Sequence, residues 1–190
     1  MKKYKVIYAD PPWQFNNKNT GGSMISGASA VYPVMNVDDI CRIPVQNICD
    51  DDCVLIMWWI ASQPEEALKV MKAWGFKLKT MTVFTWVKYT VTGKDMFGMG
   101  FWTRQGSENC LIATRGNIKR ASAAVRNVVH AQIQEHSRKP DEVRKRIVHL
   151  MGDVPRIELF AREQKEGWDK WGNEIENSVD IQKQIEICNS

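Results

Sequence analysis

Apolar residues along this chain gather in short unbroken runs of the length that buried strands have. Residues 6–9 form the first run, and it stops at two prolines, as a buried parallel strand does. Four later segments have the β-branched and aromatic content of strands: residues 53–60, 80–88, 109–114 and 156–162. The pattern therefore predicts five strands.

Two segments between these strands have apolar residues at helical spacing. The first is predicted to start at a Ser62 cap, closed as a capping box by Glu65, and to stop at Gly75. The second is predicted to begin at Pro140 and to end at Gly152. Strands that alternate with helices indicate an α/β fold with a doubly wound sheet.

Two glycine-containing segments interrupt the alternation. Residues 14–31 are rich in Asn, Gly and Ser and exceed the ~12–15 residues of most structureless loops. Residues 89–107 mix Gly with Met, Phe, Trp and Arg, a composition suited to an adaptable surface that orders on a partner. Two surface insertions without function are the alternative.

The composition fits poorly with an intrinsically disordered, collagen-like or coiled-coil protein. The 190 residues are 44% hydrophobic and 25% charged, as in an ordinary globular domain, and the net charge of +4 permits a polyanionic partner without requiring one. The five Cys and three His show no metal-ligand spacing, and no apolar run approaches the ~20 residues of a membrane span. We expect a reduced cytoplasmic protein with no metal and no membrane contact.

One domain is predicted over residues 1–176, followed by a C-terminal extension over residues 177–190.

The run Asp10-Pro11-Pro12-Trp13 stands where an open α/β sheet has its ligand crevice, beyond the end of the first strand. Its prolines remove two backbone donors and leave carbonyls next to a carboxylate and an indole. These groups can accept hydrogen bonds from a planar amine, such as the exocyclic amine of a purine, and so favour its attack on a methyl group. A rigid turn followed by a core Trp accounts for the same residues.

Further motifs follow DPPW in order. They are YPVM at 32–35, WGF at 74–76, WVK at 86–88, ENCL at 108–111, HSRKPDE at 136–142, IELFAR at 157–162 and GWDKWGNE at 167–174. Together with YADPPW they resemble the S-adenosylmethionine-dependent adenine N6-methyltransferases, the family whose eukaryotic members modify messenger RNA. The resemblance implies a Rossmann-like methyltransferase fold with permuted motif order, in which the catalytic motif precedes the cofactor-binding motifs.

The resemblance also implies that Asp10, Lys139, Arg162, Asn173 and Glu174 line the cofactor, S-adenosylmethionine. Lys139 precedes a helix N-terminus, where the macrodipole disfavours a cation and the cofactor carboxylate would compensate. Arg162 can bind an anion at the crevice. Asn173 and Glu174 can hydrogen-bond ribose hydroxyls. A solvated lysine, a strand-end charge and a polar turn are the corresponding alternatives.

For the target adenine, the family implies contacts at positions that match Tyr32, Lys88, Glu108 and Ser137. A duplex would have to present its adenine flipped out, with Trp13 or Tyr32 stacking on the ring.

Other aromatic and basic residues have simpler interpretations. Trp58, Trp59 and Trp74 belong to a strand run and a helix face, so we expect them in the core. The basic segment 115–120, with Arg126 beyond it, could follow phosphates, and a solvated basic loop is an equal alternative.

Asp10 lies nine residues from the start of the chain, whereas eukaryotic relatives carry residues before this strand that contact the cofactor's adenine. We expect that contact to come from elsewhere, such as the carboxyl-terminal part. The short chain resembles bacterial and bacteriophage members, which act mainly on DNA. We therefore predict a DNA adenine N6-methyltransferase of a bacterial or phage-infected cell. The oligomeric state stays open, and a homodimer is one possibility. The same reaction on RNA, and a catalytically silent nucleic-acid-binding subunit, stay open, although the intact DPPW argues against the latter.

Overall fold

The computed structural model describes residues 2–14, 34–98, 100, 102–134 and 138–181. Its strands are β1 Tyr4–Ala9, β2 Cys49–Trp59, β3 Lys77–Tyr89, β4 Ser107–Arg115, β5 Val128–Gln132, β6 Arg156–Leu159 and β7 Asp169–Trp171. Its α-helices are α1 Val37–Arg42, α2 Pro64–Ala73 and α3 Asp141–Met151, and a 3-10 turn, Val45–Asn47, follows α1.

The strands form one sheet in the order β5-β3-β4-β2-β1-β6-β7. Parallel pairs join β1 to β2 and β6, β6 to β7, and β3 to β5, whereas β4 is antiparallel to β2 and β3. All the described strands except β4 therefore end at the same edge, which we call the catalytic edge, and β4 begins there. This arrangement confirms the predicted α/β class and its Rossmann-like character.

A hydrophobic core covers each face of the sheet. Residues from α1 and α2, such as Ile40 and Val70, pack on one face. Val143 and Ile147 of α3 pack on the other, against Tyr8 of β1. Helix α2 covers one face of the sheet and α3 covers the other. Each helix buries an apolar stripe against the sheet and leaves a charged face to water. Strand β1 is buried from both sides and so holds its end in a fixed place.

Four of the predicted strands begin two to four residues earlier than expected, and two other element ends need correction. The capping box is wrong: Gln63 is the N-cap of α2, no side chain caps it, and Pro64 occupies the first helical position. The last predicted strand, 156–162, ends at Leu159 because Phe160 adopts a φ of 61°, which a strand cannot continue. The residues beyond Leu159 form an irregular turn at the catalytic edge.

Three elements were not predicted. Helix α1 has six residues, and Asn36 caps it by accepting a hydrogen bond at 2.9 Å from the backbone N–H of Asp39. Strands β5 and β7 have five and three residues and lie at the two borders of the sheet. Segments this short do not complete a helical or alternating pattern, so periodicity carries little signal for them.

The segment after residue 176, predicted to be an extension, continues the packing of the domain as far as residue 181. The backbone N–H of Ser178 donates to the carbonyl of Lys170, the side chain of Asn177 accepts from the backbone of Gly172, and Ile181 is fully buried. Over the described ranges, no helix has the length and apolar character needed to cross a membrane. The same residues contain no group of three or more His, Cys, Asp or Glu arranged to hold a metal ion.

Candidate active site

The DPPW residues form a tight turn at the end of β1. The backbone N–H of Trp13 donates to the carbonyl of Pro11 at 2.8 Å, and that of Met35 donates to the carbonyl of Pro12 at 2.9 Å. Each proline carbonyl therefore accepts one backbone hydrogen bond, and neither belongs to a named strand of the sheet. A carbonyl oxygen has two lone pairs, so the Pro11 carbonyl still has capacity for a second donor.

Trp13 does not have the orientation expected of a stacking residue. Its side chain belongs to the core, the residue is 7% exposed, and its indole N–H donates to the carbonyl of Trp58 at 3.1 Å. A ring buried in this way cannot lie on an extruded base, so the prediction that Trp13 stacks on adenine is corrected. The alternative of a core Trp after a rigid turn describes this residue.

Four charged side chains meet at the catalytic edge, and we call them the charged cluster: Asp10, Lys88, Glu108 and Lys139. The ammonium of Lys139 lies 2.8 Å from Oδ2 of Asp10 and 3.3 Å from Oε2 of Glu108. Lys88 donates to the other oxygen of Glu108. The sequence had assigned these residues separately to acceptor, substrate and cofactor roles, and the structure brings them into one network.

Strand direction explains this meeting. Asp10 follows β1, Lys88 lies near the end of β3, and Lys139 precedes α3. Glu108 lies at the start of β4, and because β4 runs opposite to its neighbours its first residues reach the edge where β3 ends. Residues 129 positions apart in the chain, Asp10 and Lys139, thereby form an ion pair.

Mutual pairing sets the protonation states of Glu108 and Lys139. Burial acts to raise the pKa of Glu108, but the positive charges of Lys139 and Lys88 outweigh it and hold that pKa below its usual value. Burial acts to lower the pKa of Lys139, and the carboxylates of Asp10 and Glu108 more than reverse this effect and raise it. At neutral pH Glu108 is therefore ionised and Lys139 is protonated.

The position of Lys139 changes the argument made from the helix macrodipole. A cation before the N-terminus of α3 was expected to need an anion from the cofactor. Asp10 and Glu108, both from this chain, supply that compensation. A cofactor contact of Lys139 thus stays a prediction of the resemblance and no longer follows from the local electrostatics.

Two tryptophan rings, Trp58 and Trp86, contact the lysines of the charged cluster. The ammonium of Lys139 lies 5.4 Å from the ring centre of Trp58, and that of Lys88 lies 4.8 Å from the ring centre of Trp86. The two rings meet edge to face at 6.4 Å. Each pair has the distance of a cation–π contact. Trp58 is buried as predicted, and it also supports the site, a role that the sequence pattern did not reveal.

A second part of the site adjoins the charged cluster. An open cleft is lined by Asp10, Pro12, Phe160, Ala161, Arg162, Asn173 and Glu174. The cleft lies where β1 and β6 end side by side, which is the switch point of the sheet, since the chain leaves β1 toward β2 and leaves β6 toward β7.

Close backbone packing shapes the wall of this cleft. The backbone N–H of Ala161 donates to the carbonyl of Trp171 at 3.0 Å, and a side chain at Gly172 would collide with the carbonyl of Ala161. Phe160 holds its left-handed backbone next to them, with its ring edge to face with Trp171 at 5.7 Å. Such a conformation costs a bulky residue ~1–3 kcal/mol and is found mostly at functional sites. Phe160 is a cleft residue that sequence reasoning missed.

Other predicted contacts lie outside this edge or outside the described residues. Tyr32, Ser137 and most of the segment 14–31 are not among the described residues. The basic segment 115–120 follows the far end of β4, where Arg115 pairs with Cys53. It therefore begins at the edge opposite to the charged cluster, and the structure does not place its start beside the site.

An open α/β sheet that carries an acceptor cluster and an adjoining cleft at its switch point has the architecture of a Rossmann-like methyltransferase. The chain belongs to the MT-A70 family, whose model matches residues 4–174. This match confirms the methyltransferase family predicted from the motifs.

Individual relatives differ in how much of their length the chain covers. The type II methyltransferase M.MunI of a Mycoplasma species is 34% identical over 203 residues, which include 98% of this chain and 84% of that protein. The human N(6)-adenosine-methyltransferase catalytic subunit METTL3 is 26% identical over 185 residues, which include 93% of this chain and 29% of that protein. An MT-A70-like N(6)-adenosine-methyltransferase of Arabidopsis thaliana is also 26% identical, and the chain covers 24% of it. The chain therefore spans most of M.MunI and about a quarter of the plant and human relatives.

Proposed function

We propose that this chain transfers the methyl group of S-adenosylmethionine to the N6 amino group of adenine in DNA. The observation that carries the proposal is the position of Asp10, whose carboxylate belongs both to the charged cluster and to the cleft. A methyl donor held in the cleft and an amine held at the cluster would meet at this carboxylate. MT-A70 methyltransferases act on adenine N6 and generally use this cofactor.

The chemistry of the cleft fits S-adenosylmethionine. The guanidinium of Arg162 suits the cofactor's carboxylate, and the side chains of Asn173 and Glu174 suit ribose hydroxyls. The ring of Phe160 adds an apolar wall. When bound, the cofactor supplies a methyl group on a positively charged sulfur, which is a ready electrophile.

Asp10 acts on the other reactant. The amine of adenine is a weak nucleophile because its lone pair is delocalised into the ring. Asp10, held in place by Lys139, accepts a hydrogen bond from this amine, and the spare lone pair of the Pro11 carbonyl can accept a second. These contacts keep the lone pair on nitrogen and aim it at the methyl group. No strong base is required, since the alkylated nitrogen releases its proton readily.

The charged cluster also matches the hydrogen-bonding pattern of adenine. Adenine presents an amino donor next to ring-nitrogen acceptors, whereas guanine presents two acceptors, O6 and N7. Asp10 and Glu108 provide acceptors, and Lys88 and Lys139 provide donors, within one cluster. A carboxylate that receives the adenine amine would repel the O6 of guanine.

DNA is proposed as the substrate because the chain spans most of M.MunI, a type II methyltransferase, and type II methyltransferases act on DNA. The RNA alternative is favoured by the N(6)-adenosine-methyltransferases, which the chain matches over about a quarter of their length. A test compares methyl transfer by the purified chain to matched DNA and RNA oligonucleotides, with nucleosides identified by mass spectrometry. We expect N6-methyladenine in DNA, within a short sequence motif.

The same experiment separates the alternatives. Faster transfer to RNA would replace the DNA substrate with RNA. Cofactor binding measured by calorimetry, together with no transfer to either nucleic acid, would identify a silent binding subunit. Methylation of adenines without regard to sequence would contradict the expected short recognition motif.

The hairpin that extends β3 and β4 beyond the catalytic edge is the proposed DNA-contacting surface. Its backbone pairing continues from the Lys88 N–H to the Gly106 carbonyl at 2.9 Å and from the Gly98 N–H to the Gln105 carbonyl at 3.1 Å. Trp102 on this hairpin is 99% exposed, and the guanidinium of Arg104 lies 5.3 Å from the exposed ring of Phe97. Exposed aromatic and basic groups together favour a partner with stacked bases and phosphates.

We expect Trp102→Ala to raise the KM for DNA about 5- to 150-fold, since stacking of a base on an aromatic side chain is worth ~1–3 kcal/mol. The kcat at saturating DNA and the cofactor affinity should change little, because Trp102 lies outside the charged cluster and the cleft. Steady-state kinetics on duplex DNA measures both. Val91→Ala, at another exposed apolar position of the hairpin, is the matched control and should leave the KM unchanged. Equal KM values for the two variants would remove Trp102 from the DNA surface.

A further inference from the structure

A buried hydrogen bond beneath the charged cluster links Trp58, which contacts Lys139, to Tyr8, which has no role in the chemistry described so far. The indole N–H of Trp58 donates to the hydroxyl of Tyr8 at 2.6 Å, and both side chains are almost fully buried. Tyr8 lies on β1 two residues before Asp10. Trp58 lies on β2 one step beyond Met57, which pairs with Ala9. The bond therefore lies directly behind the DPPW turn.

The indole of Trp58 connects this bond to the reacting end of the site. Its ring lies 5.4 Å from the ammonium of Lys139, which in turn donates to Asp10 at 2.8 Å. A tryptophan ring can tilt about its side-chain bonds, and the hydrogen bond to Tyr8 fixes the direction in which its N–H points. Fixing the N–H fixes the face on which the Lys139 ammonium rests.

Tyr8 is itself held from the side of α3. The guanidinium of Arg144 lies 5.6 Å from its ring centre, and the ring of Trp168 lies at 5.8 Å. Arg144 is fixed by two hydrogen bonds to the carboxylate of Glu158, at 2.7 and 2.6 Å. Burial, with a smaller effect of nearby Cys110, raises the pKa of Tyr8 well above its ordinary value, so its hydroxyl stays neutral.

We propose that Tyr8 and Trp58 are positioning residues that act through Lys139 to hold the Asp10 carboxylate in its reactive orientation. The proposal rests on the methyl transfer proposed above, in which Asp10 receives the adenine amine. Neither residue lines the cleft, so neither is expected to contribute to cofactor affinity. Without the Tyr8 hydroxyl the indole N–H lacks its acceptor, the ring loses its preferred tilt, and the ammonium above it shifts with Asp10.

A pair of variants on the same strand tests this. Tyr8→Phe removes the hydroxyl that accepts from Trp58. Tyr4→Phe removes a hydroxyl that donates to Asp169 at 2.6 Å, in the core on the other face of the sheet. Both side chains are buried and each loses one hydrogen bond, so both variants should lower the melting temperature. We expect single-turnover methyl transfer to fall about tenfold in Tyr8→Phe alone, with KM for DNA and Kd for the cofactor unchanged in both.

A double-mutant cycle adds a readout that a general loss of stability does not produce. Trp58→Phe keeps an aromatic face near Lys139 but has no N–H. Because one hydrogen bond joins Tyr8 and Trp58, the kcat of the Tyr8→Phe, Trp58→Phe double variant should be no lower than the kcat of the less active single variant. The effects of Tyr4→Phe and Trp58→Phe on kcat should instead be additive. In parallel, the 15N resonance of the Lys139 ammonium should move in Tyr8→Phe and not in Tyr4→Phe.

The outcomes separate this proposal from the function on which it rests. Equal methyl-transfer rates for Tyr8→Phe and Tyr4→Phe, or additive effects of Tyr8→Phe and Trp58→Phe, would overturn the positioning role while the methyltransferase activity stands. An inactive wild-type protein with an inactive Tyr4→Phe variant would overturn the proposed function, and the positioning role with it.

Discussion

Replacing Asp10 with Asn is expected to slow methyl transfer by about tenfold to a hundredfold, because a charge-assisted hydrogen bond worth ~1.5–3 kcal/mol is lost and each 1.36 kcal/mol of barrier is a factor of ten in rate. The contact with Lys139 makes the consequence specific. Lys139 donates to one side-chain oxygen of residue 10, so the new amide must turn its oxygen toward that ammonium. Its NH₂ group then faces the NH₂ of adenine, and an acceptor becomes a competing donor.

Single-turnover methylation and calorimetry of cofactor binding measure this variant. The cofactor Kd should change much less than the rate, since Arg162, Asn173 and Glu174 also line the cleft. Asp38→Asn is the matched control, because Asp38 also accepts from a lysine, Lys69, at 2.6 Å but lies on the surface. A folded Asp10→Asn protein that methylates at the wild-type rate would contradict the acceptor role of Asp10.

Replacing Lys139 with Ala is expected to reduce both stability and methyl transfer. The ammonium pairs with two carboxylates, and removing it leaves Asp10 and Glu108 facing one another at the catalytic edge. Breaking a fully buried pair costs ~3–5 kcal/mol, and we expect about 2 kcal/mol here because the two carboxylates keep exposures of 24% and 32%. Methyl transfer should fall more than tenfold, since Asp10 loses the group that orients it.

The pH dependence of this variant has a definite sign. In the wild type the lysines hold the pKa of Glu108 below its ordinary value, so Glu108 stabilises the fold above that ordinary value and this contribution is lost as the pH falls through the lowered pKa. Without Lys139 only Lys88 still acts to lower this pKa, so burial and the nearby Asp10 shift it upward, and protonation relieves the repulsion. The difference in melting temperature between wild type and Lys139→Ala should therefore shrink as the pH is lowered from 7 to 4.

Lys69→Ala is the control for this second prediction. Lys69 pairs with Asp38 at 2.6 Å, and both side chains are largely exposed, so its loss should leave the free energy of unfolding almost unchanged at any pH. If the difference in melting temperature between wild type and Lys139→Ala stays constant between pH 7 and 4, the pKa of Glu108 does not depend on Lys139.

Local patterns in the sequence predicted the elements that build the site but not the partners that meet in it. The unbroken run at residues 6–9 and the spacing before Gly152 located β1 and α3, because burial on both faces and an amphipathic stripe leave a local signal. The contact between Asp10 and Lys139 leaves no such signal, since it depends on which strands are neighbours.

Long-range packing also decides which partners these residues meet, and local sequence does not show those partners. The macrodipole argument singled out Lys139 correctly as a cation in need of an anion, yet the anions belong to the chain itself. Trp13 reads equally well as a stacking surface or as a core residue, and only the position of β2, whose Trp58 carbonyl accepts its N–H, decides for the core. Lys88 and Glu108 were predicted from the family resemblance alone. The local sequence around a charged residue near a strand end does not show which residues lie next to it in the fold.

The reversed direction of β4 has a consequence for how such an enzyme can change its target. Lys88 and Glu108 sit on neighbouring strands in a register fixed by the pairing of Trp86 with Glu108, so the chain that joins them leaves the sheet and returns to it at one place. Its length and composition can therefore vary without moving either charge. Under the proposed DNA contact of the hairpin, grafting a different hairpin between residues 89 and 107 is expected to change the recognition sequence and to leave Lys88 and Glu108 in place.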